Sequence, residues 1–254
     1  GTIYQSYARA VSASSPGGGV ADVHNLVTLS RWPILNFQSI RNTLVPLLSY
    51  RPLTSVPPAA EPLKIAFERP ILVADIEAAP GRVVTVINVH YRAPIAAPIP
   101  GQKENASVWR SVAGWAEGYA IAAWKRTAQA LETRLVIDGL LETDASRFLI
   151  VAGDFNAEDH ETPLKILIGA EEDTGNGHLA ARTLVVLDRS IAEDRRFSVL
   201  HHGRAQMLDH ILASWPSLAH FRGIEAHNET LADELVSFTR VRQEPGSPHA
   251  PIVA

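Results

Sequence analysis

A chain of 254 residues, 46% hydrophobic and 20% charged, has the profile of a globular protein able to bury a substantial core as one domain spanning 1–254. It contains no cysteine, which excludes disulfides, thiolate metal sites and cysteine nucleophiles together. The formal charge of −4 argues against a surface that grips duplex nucleic acid mainly through phosphates, and no apolar run is long enough to span a bilayer. The expectation is a cytoplasmic monomer.

Residues 12–19 (SASSPGGG) read as an exposed loop. His24-Asn25-Leu26-Val27-Thr28-Leu29-Ser30 is a short apolar strand, closed by Arg31-Trp32-Pro33. Prolines crowd 46–62, leaving room for one short strand. Residues 71–76 and 83–90 are rich in β-branched side chains and are separated by Ala-Pro-Gly, the mark of a hairpin. Three prolines make 92–103 a loop. From 107 to 141 the apolar period becomes helical: Val108, Val112, Trp115, Tyr119, then Trp124, Ala128, Leu131, Leu135. The jump of five between the sets, beside Gly118, predicts a bend or slight break. Residues 148–152 form a buried strand running into Gly153-Asp154-Phe155-Asn156. Thr162 caps a short helix with Pro163 at its first position. Residues 197–200 and 208–213 are two more strands, and the chain closes on the strand-like His249-Ala250-Pro251-Ile252-Val253-Ala254. The pattern is one domain of mixed α and β.

Polar residues gather at these strand ends: Asn88 and His90, Asp154 and Asn156, Asp209 and His210, and His249 before the last strand. Phosphoester hydrolysis needs such a set, with a divalent ion to offset phosphate charge, an acid–base group for the water, and neutral donors for the non-bridging oxygens. A histidine held by an aspartate has a fixed tautomer and raised basicity. Taken singly, each residue also has an ordinary reading. His90 is then a surface or core histidine, Gly-Asp-Phe-Asn a turn whose Asp and Asn bond their own backbone, Asp209 a cap, and Ser247-Pro248-His249 a turn. Four such clusters in order, each on a strand boundary, point instead to a site.

Asn88-Val89-His90, Gly153-Asp154-Phe155-Asn156-Ala157, Leu208-Asp209-His210-Ile211 and His249-Ala250-Pro251-Ile252-Val253 resemble, in order, signature segments of the endonuclease/exonuclease/phosphatase superfamily. Residues 25–33 (NLVTLSRWP) are similar to another family strand, and 114–138 are similar to the same stretch in bacterial members. The resemblance implies an α+β fold, a four-layer α/β/β/α sandwich. It implies a divalent-metal-dependent phosphodiesterase, nuclease or phosphatase acting on a phosphorylated small molecule, a phospholipid headgroup or a nucleic acid. Position by position, His90 resembles the residue that contacts the phosphate, Asp154 the aspartate that orients or deprotonates the water, and Asn156 the amide that holds a phosphate oxygen. Asp209 resembles the aspartate that pairs with the terminal histidine, His249. Arg92, Arg204 and Gln206 lie beside these motifs and are candidate substrate contacts.

Two departures from the family pattern bear on metal. The family's opening strand–helix–strand, with its metal-binding Glu, has no counterpart before Asn25, and Asp22 stands in the wrong place to replace it. The terminal Ser-Asp-His reads Ser247-Pro248-His249 here, and proline has no side-chain ligand atom. Three explanations stay open: a start downstream of the Glu segment, a degenerate member that binds a phosphorylated ligand without turnover, or a metal held on Asp154, Asn156 and His249. Mg²⁺ or Mn²⁺ is the expected ion, bound weakly or not at all by the chain as it stands.

Overall fold

The computed structural model describes residues 3–14, 18–21, 24–233 and 247–254; Asp22 lies outside them. In chain order the strands are β1 (Ala8–Val11), β2 (Val27–Ser30), β3 (Ile34–Ile40), β4 (Leu48–Tyr50), β5 (Leu63–Ile65), β6 (Ile71–Ala79) and β7 (Arg82–His90). Helix α1 (Val112–Thr143) leads to β8 (Phe148–Asp154), α2 (Thr162–Ile168), β9 (Leu184–Val186), β10 (Val199–His201), β11 (Arg204–Gln206), β12 (Asp209–Ser214), β13 (Glu225–Ala226) and β14 (Ile252–Val253). The mixed α+β class expected from the sequence is what is found.

The centre is a six-stranded mixed sheet, order β3-β6-β7-β8-β12-β9. β6 and β7 are the expected hairpin, and β7 runs parallel to β8 because α1 makes the crossover between them. Alternation sorts the strands onto two faces. Ile87, Val89, Leu149, Val151 and Leu212 form one core with Ile137 and Leu141 of α1 and with Leu164 and Leu167 of α2. Leu72 and Ala74 point the other way, against Ala10 and Leu26 of the β1–β2 ribbon. On that second face the strands come as two-stranded ribbons, β1–β2 and β13–β14 among them. Val84, Ile150, Ala152 and Ile211 of the same face line a groove of about 430 Å³ with Ala254.

Several local expectations are corrected. Strands β1, β3 and β11 were not expected; each is short or mixed in polarity and is set by its partner rather than by its own pattern. The short helix α2 is capped by Glu161, not Thr162: Glu161 holds the extended cap backbone while its carboxylate accepts from Glu158 N at 2.8 Å. Helix α1 continues without a break past Gly118 and starts at Val112, capped by Ser111, whose side chain accepts from Gly114 N. The glycine answers to a close approach: a Cβ there would lie 2.2 Å from Ala97 O.

The apolar stripe of α1 is not its buried face. Trp115, Tyr119, Trp124, Leu131 and Leu135 are all at least 40% exposed. The buried side carries Glu117, Gln129, Glu132 and Thr133 beside Ile121 and Ile137. Glu132 accepts the backbone N–H groups of Asn42, Thr43, Leu44 and Val45 at 2.7–3.2 Å. Glu117 accepts from Leu53 N, Thr54 N, the Thr54 hydroxyl and the Tyr50 hydroxyl. Buried carboxylates persist when their lone pairs are met by donors in this way, and here they pin two loops to the helix. Among the described residues, no helix is long and apolar enough to cross a membrane.

Candidate active site

Strand register assembles the site. His90 at the end of β7 faces Asp154 at the end of β8, and Asp154 faces Asp209 at the start of β12. Register partners on adjacent strands lie about 5 Å apart and share a face, so the three side chains form one row. The ladder extends beyond the strands, with Tyr91 N donating to Asp154 O and Phe155 N to Leu208 O, each at 2.9 Å. Buried Phe155 packs edge-on against Tyr91 and His210 beneath the row. At Gly153, φ is 139° and a Cβ would sit 2.0 Å from Val89 O, so β7 and β8 approach this closely only over glycine.

Asn156 takes the left-handed conformation (φ 49°), which asparagine tolerates better than most residues. Its backbone N–H donates to Asp154 Oδ1 at 2.8 Å, and its amide donates to Asp154 Oδ2 and Tyr91 O, each at 3.0 Å. His90 Nε2 lies 3.1 Å from Asp154 Oδ2. Burial alone would raise the Asp154 pKa. The His90 hydrogen bond and charge, the Asn156 N–H and the His249 charge outweigh it and hold the carboxyl below its usual range, ionised at neutral pH.

The last strand supplies the dyad. Ala250 N donates to Ser198 O at 2.8 Å, and Ser198 Oγ accepts from Leu208 N and Asp209 N at 3.0 and 3.1 Å. One fully buried serine thus ties both halves together, placing His249 Nδ1 2.7 Å from Asp209 Oδ2. With Nδ1–H donating to the carboxylate, the lone pair of the neutral ring is on Nε2. A second, buried pair lies below: His210 Nδ1 is 3.0 Å from Asp188 Oδ2 and Nε2 is 2.9 Å from Ala157 O. Two acceptors make both ring nitrogens donors. Burial disfavours that charge, but the Asp188 bond and charge and the Ala157 carbonyl prevail, and the His210 pKa is raised. Through both nitrogens the ring clamps the Asp154–Ala157 turn to β12.

Asp154, Asp209 and His249 each present a ligand atom within 4.8 Å of the others. Two carboxylates and an imidazole suit Mg²⁺ and, with the nitrogen, Mn²⁺. Asn156 directs its amide nitrogen to Tyr91 and Asp154, while Asp209 joins the cluster. Pro248 is exposed and adds no ligand atom.

Of the flanking candidates, Arg92 lies at the His90 end, 4.0 Å from Glu68 and donating to Ile95 O. Arg204 and Gln206 sit on β11, paired through their backbones to His201 and Val199. Among the described residues, neither side chain bonds to the cluster. The sequence reading missed Ser198, the Asp188–His210 pair, His24 and Arg69. Ser198 and Asp188 carry no local signal, and His210 stood inside a motif read for its neighbour. Arg69 is nearly buried and donates to Tyr91 O at 2.6 Å. Its Nη2 lies 3.3 Å from His24 Nδ1, and the His24 ring stands edge-on to His90 at 6.1 Å.

No protein-family model and no curated protein sequence matches the chain. Solved structures do. Truncated TDP2 from Caenorhabditis elegans is 11% identical with a TM-score of 0.50, covering 97% of this chain and 74% of that one. The 3′ phosphatase NExo from Neisseria, bound to product DNA hairpin, is 14% identical with a TM-score of 0.49, covering 97% and 78%. The human Nocturnin catalytic domain with bound sulfate is 17% identical with a TM-score of 0.45, covering 87% and 63%; the chain spans less than two thirds of that domain. The likeness to TDP2 gives the chain a fold of the endonuclease/exonuclease/phosphatase kind.

Proposed function

We propose that this chain, acting as one domain, is a divalent-metal-dependent phosphoester hydrolase whose active site is His90, Asp154, Asn156, Asp209 and His249. The observation that carries the reading is the Asp154, Asp209 and His249 cluster, within 4.8 Å and continuous with His90 through Asp154. Its likeness in fold to known phosphoesterases agrees with it. Asp154, Asp209 and His249 would hold the cation, which supplies charge that offsets the phosphoryl oxygens.

The side chains divide the remaining work. Ionised Asp154 orients the attacking water and accepts its proton as the water oxygen bonds to phosphorus and the ester P–O bond breaks, its electron pair leaving on the alcohol oxygen, which takes a proton from solvent. His90 and Asn156 exchange their bonds to Asp154 for non-bridging phosphate oxygens, where charge builds in the transition state. Asp209 fixes the His249 ring, which would otherwise rotate between tautomers. Arg92, at the same edge, is a contact for the rest of the substrate. That substrate is a phosphodiester or a phosphorylated small molecule, with nucleic acid and phospholipid headgroups both within the class.

The test is hydrolysis of bis(p-nitrophenyl) phosphate by the full chain with Mn²⁺ or Mg²⁺. Metal-dependent turnover is expected, falling more than about a hundredfold in Asp154→Asn. A folded wild-type chain that binds Mn²⁺ yet hydrolyses nothing would replace the enzyme reading with that of a noncatalytic phosphate-binding domain.

A further inference from the structure

We propose that Arg69 and His24 form an anion subsite at the His90 end of the cluster, selecting substrates that carry a second phosphoryl group beside the scissile ester. The proposal rests on the phosphoesterase reading and names its substrate class.

Arg69 is only 9% exposed, and among the described residues no carboxylate oxygen lies within 4.0 Å of its guanidinium. A charged group removed from water normally has a paired anion. The adjacent carboxylate, Glu68, bonds instead to Lys125 and approaches Arg92. Arg69 is nonetheless held firmly: Nη1 donates to Tyr91 O, the carbonyl that also receives the Asn156 amide. Its fork is therefore anchored to the same backbone atom as a residue of the active site.

His24 extends the arrangement. Its Nδ1 faces Arg69 Nη2, which can only donate, so the neutral ring carries its proton on Nε2 and offers a donor elsewhere. The residue is exposed, in the left-handed conformation (φ 54°), with its ring edge-on to His90. Arg92 adds a second guanidinium, whose buried Nε has no hydrogen-bond partner among the described residues. In a chain of net charge −4, Arg69, Arg92 and the His24 N–H concentrate donors at one end of the cluster, where Glu68 and Asp154 are the nearby carboxylates. A planar guanidinium beside an imidazole N–H matches the oxygens of a phosphate, which can meet the fork at two points.

The experiment compares thymidine 5′-(p-nitrophenyl phosphate) with the same ester carrying a 3′-phosphate, both with Mn²⁺ and the full chain. Wild type should favour the 3′-phosphorylated ester in kcat/KM by about tenfold or more, mainly through KM, the equivalent of one charged hydrogen bond. In Arg69→Gln the ratio between the two substrates should collapse towards one. His24→Asn, which suits the left-handed backbone and sits at the surface, should reduce it about threefold. Equal ratios in wild type and both variants would overturn the subsite while leaving the hydrolase reading in place. If neither ester is cleaved, the hydrolase reading fails, and metal-free calorimetry with inorganic pyrophosphate decides the subsite. Binding weakened about tenfold by Arg69→Gln sustains it, and unchanged or absent binding in wild type overturns it.

Discussion

His249 Nδ1 lies 2.7 Å from Asp209 Oδ2, across forty residues of chain, and both ends of that bond are positioned by the backbone and hydroxyl of Ser198. The carboxylate sets the tautomer of the ring. Asp209→Asn keeps the shape but lets the amide nitrogen face Nδ1, which drives the proton to Nε2. Metal-dependent hydrolysis of bis(p-nitrophenyl) phosphate is expected to drop roughly ten-thousandfold, as when an orienting carboxylate is replaced by its amide beside a catalytic histidine. The melting temperature should hardly move, since both side chains are partly exposed. A loss under about tenfold would mean that the ring needs no orienting partner.

Pro248 precedes His249 and has no ligand atom. Pro248→Asp adds a carboxylate beside the cluster and should tighten Mn²⁺ binding about tenfold by calorimetry, because charge count governs affinity for hard cations. Pro248→Ala frees the backbone without adding charge and should not tighten it. Equal affinity in the two variants would locate the limitation in the backbone of His249.

Gly153→Ala places a Cβ 2.0 Å from Val89 O at a φ of 139°. Neither β7 nor β8 can give way without breaking the ladder that carries His90 and Asp154. A loss of at least about 2 kcal/mol is expected, read as a fall of several degrees in melting temperature. An unchanged melting temperature would show that the strands separate freely there.

Glu132 is fully buried and meets four backbone N–H groups of the loop at 42–45. Glu132→Ala leaves those donors without partners and should cost about 3 kcal/mol in urea denaturation. A cost under about 1 kcal/mol would mean that water replaces the carboxylate.

Glu117 gives the fold an acid limit. Burial raises its pKa, but the bonds from Thr54, Leu53 and Tyr50 together lower it below the usual value. A depressed folded pKa means that this stabilisation is complete above the ordinary glutamate pKa and is lost as pH falls through the folded one. The urea midpoint of wild type should therefore decline as pH drops below about 4.3. Glu117→Gln should start lower and lose less over the same range, and parallel curves would exclude Glu117 as a source of the dependence.

The strand-end motifs were legible in the sequence because each is local. Gly153-Asp154-Phe155-Asn156 needs one strand and one turn, and Leu208-Asp209-His210-Ile211 needs one strand start. The β6–β7 hairpin was legible from its β-branched runs and its Ala-Pro-Gly turn. Which residues complete the site depended on register, which no single segment contains: His90, Asp154 and Asp209 meet because β7, β8 and β12 align at those positions. His24 and Arg69 come together from separate loops, through a left-handed turn that a histidine does not announce. The buried face of α1 was illegible for the same reason. Periodicity marks the side rich in Trp and Leu, yet the side that packs inward carries Glu117 and Glu132, because loops distant in sequence deliver the N–H groups that make a buried carboxylate stable.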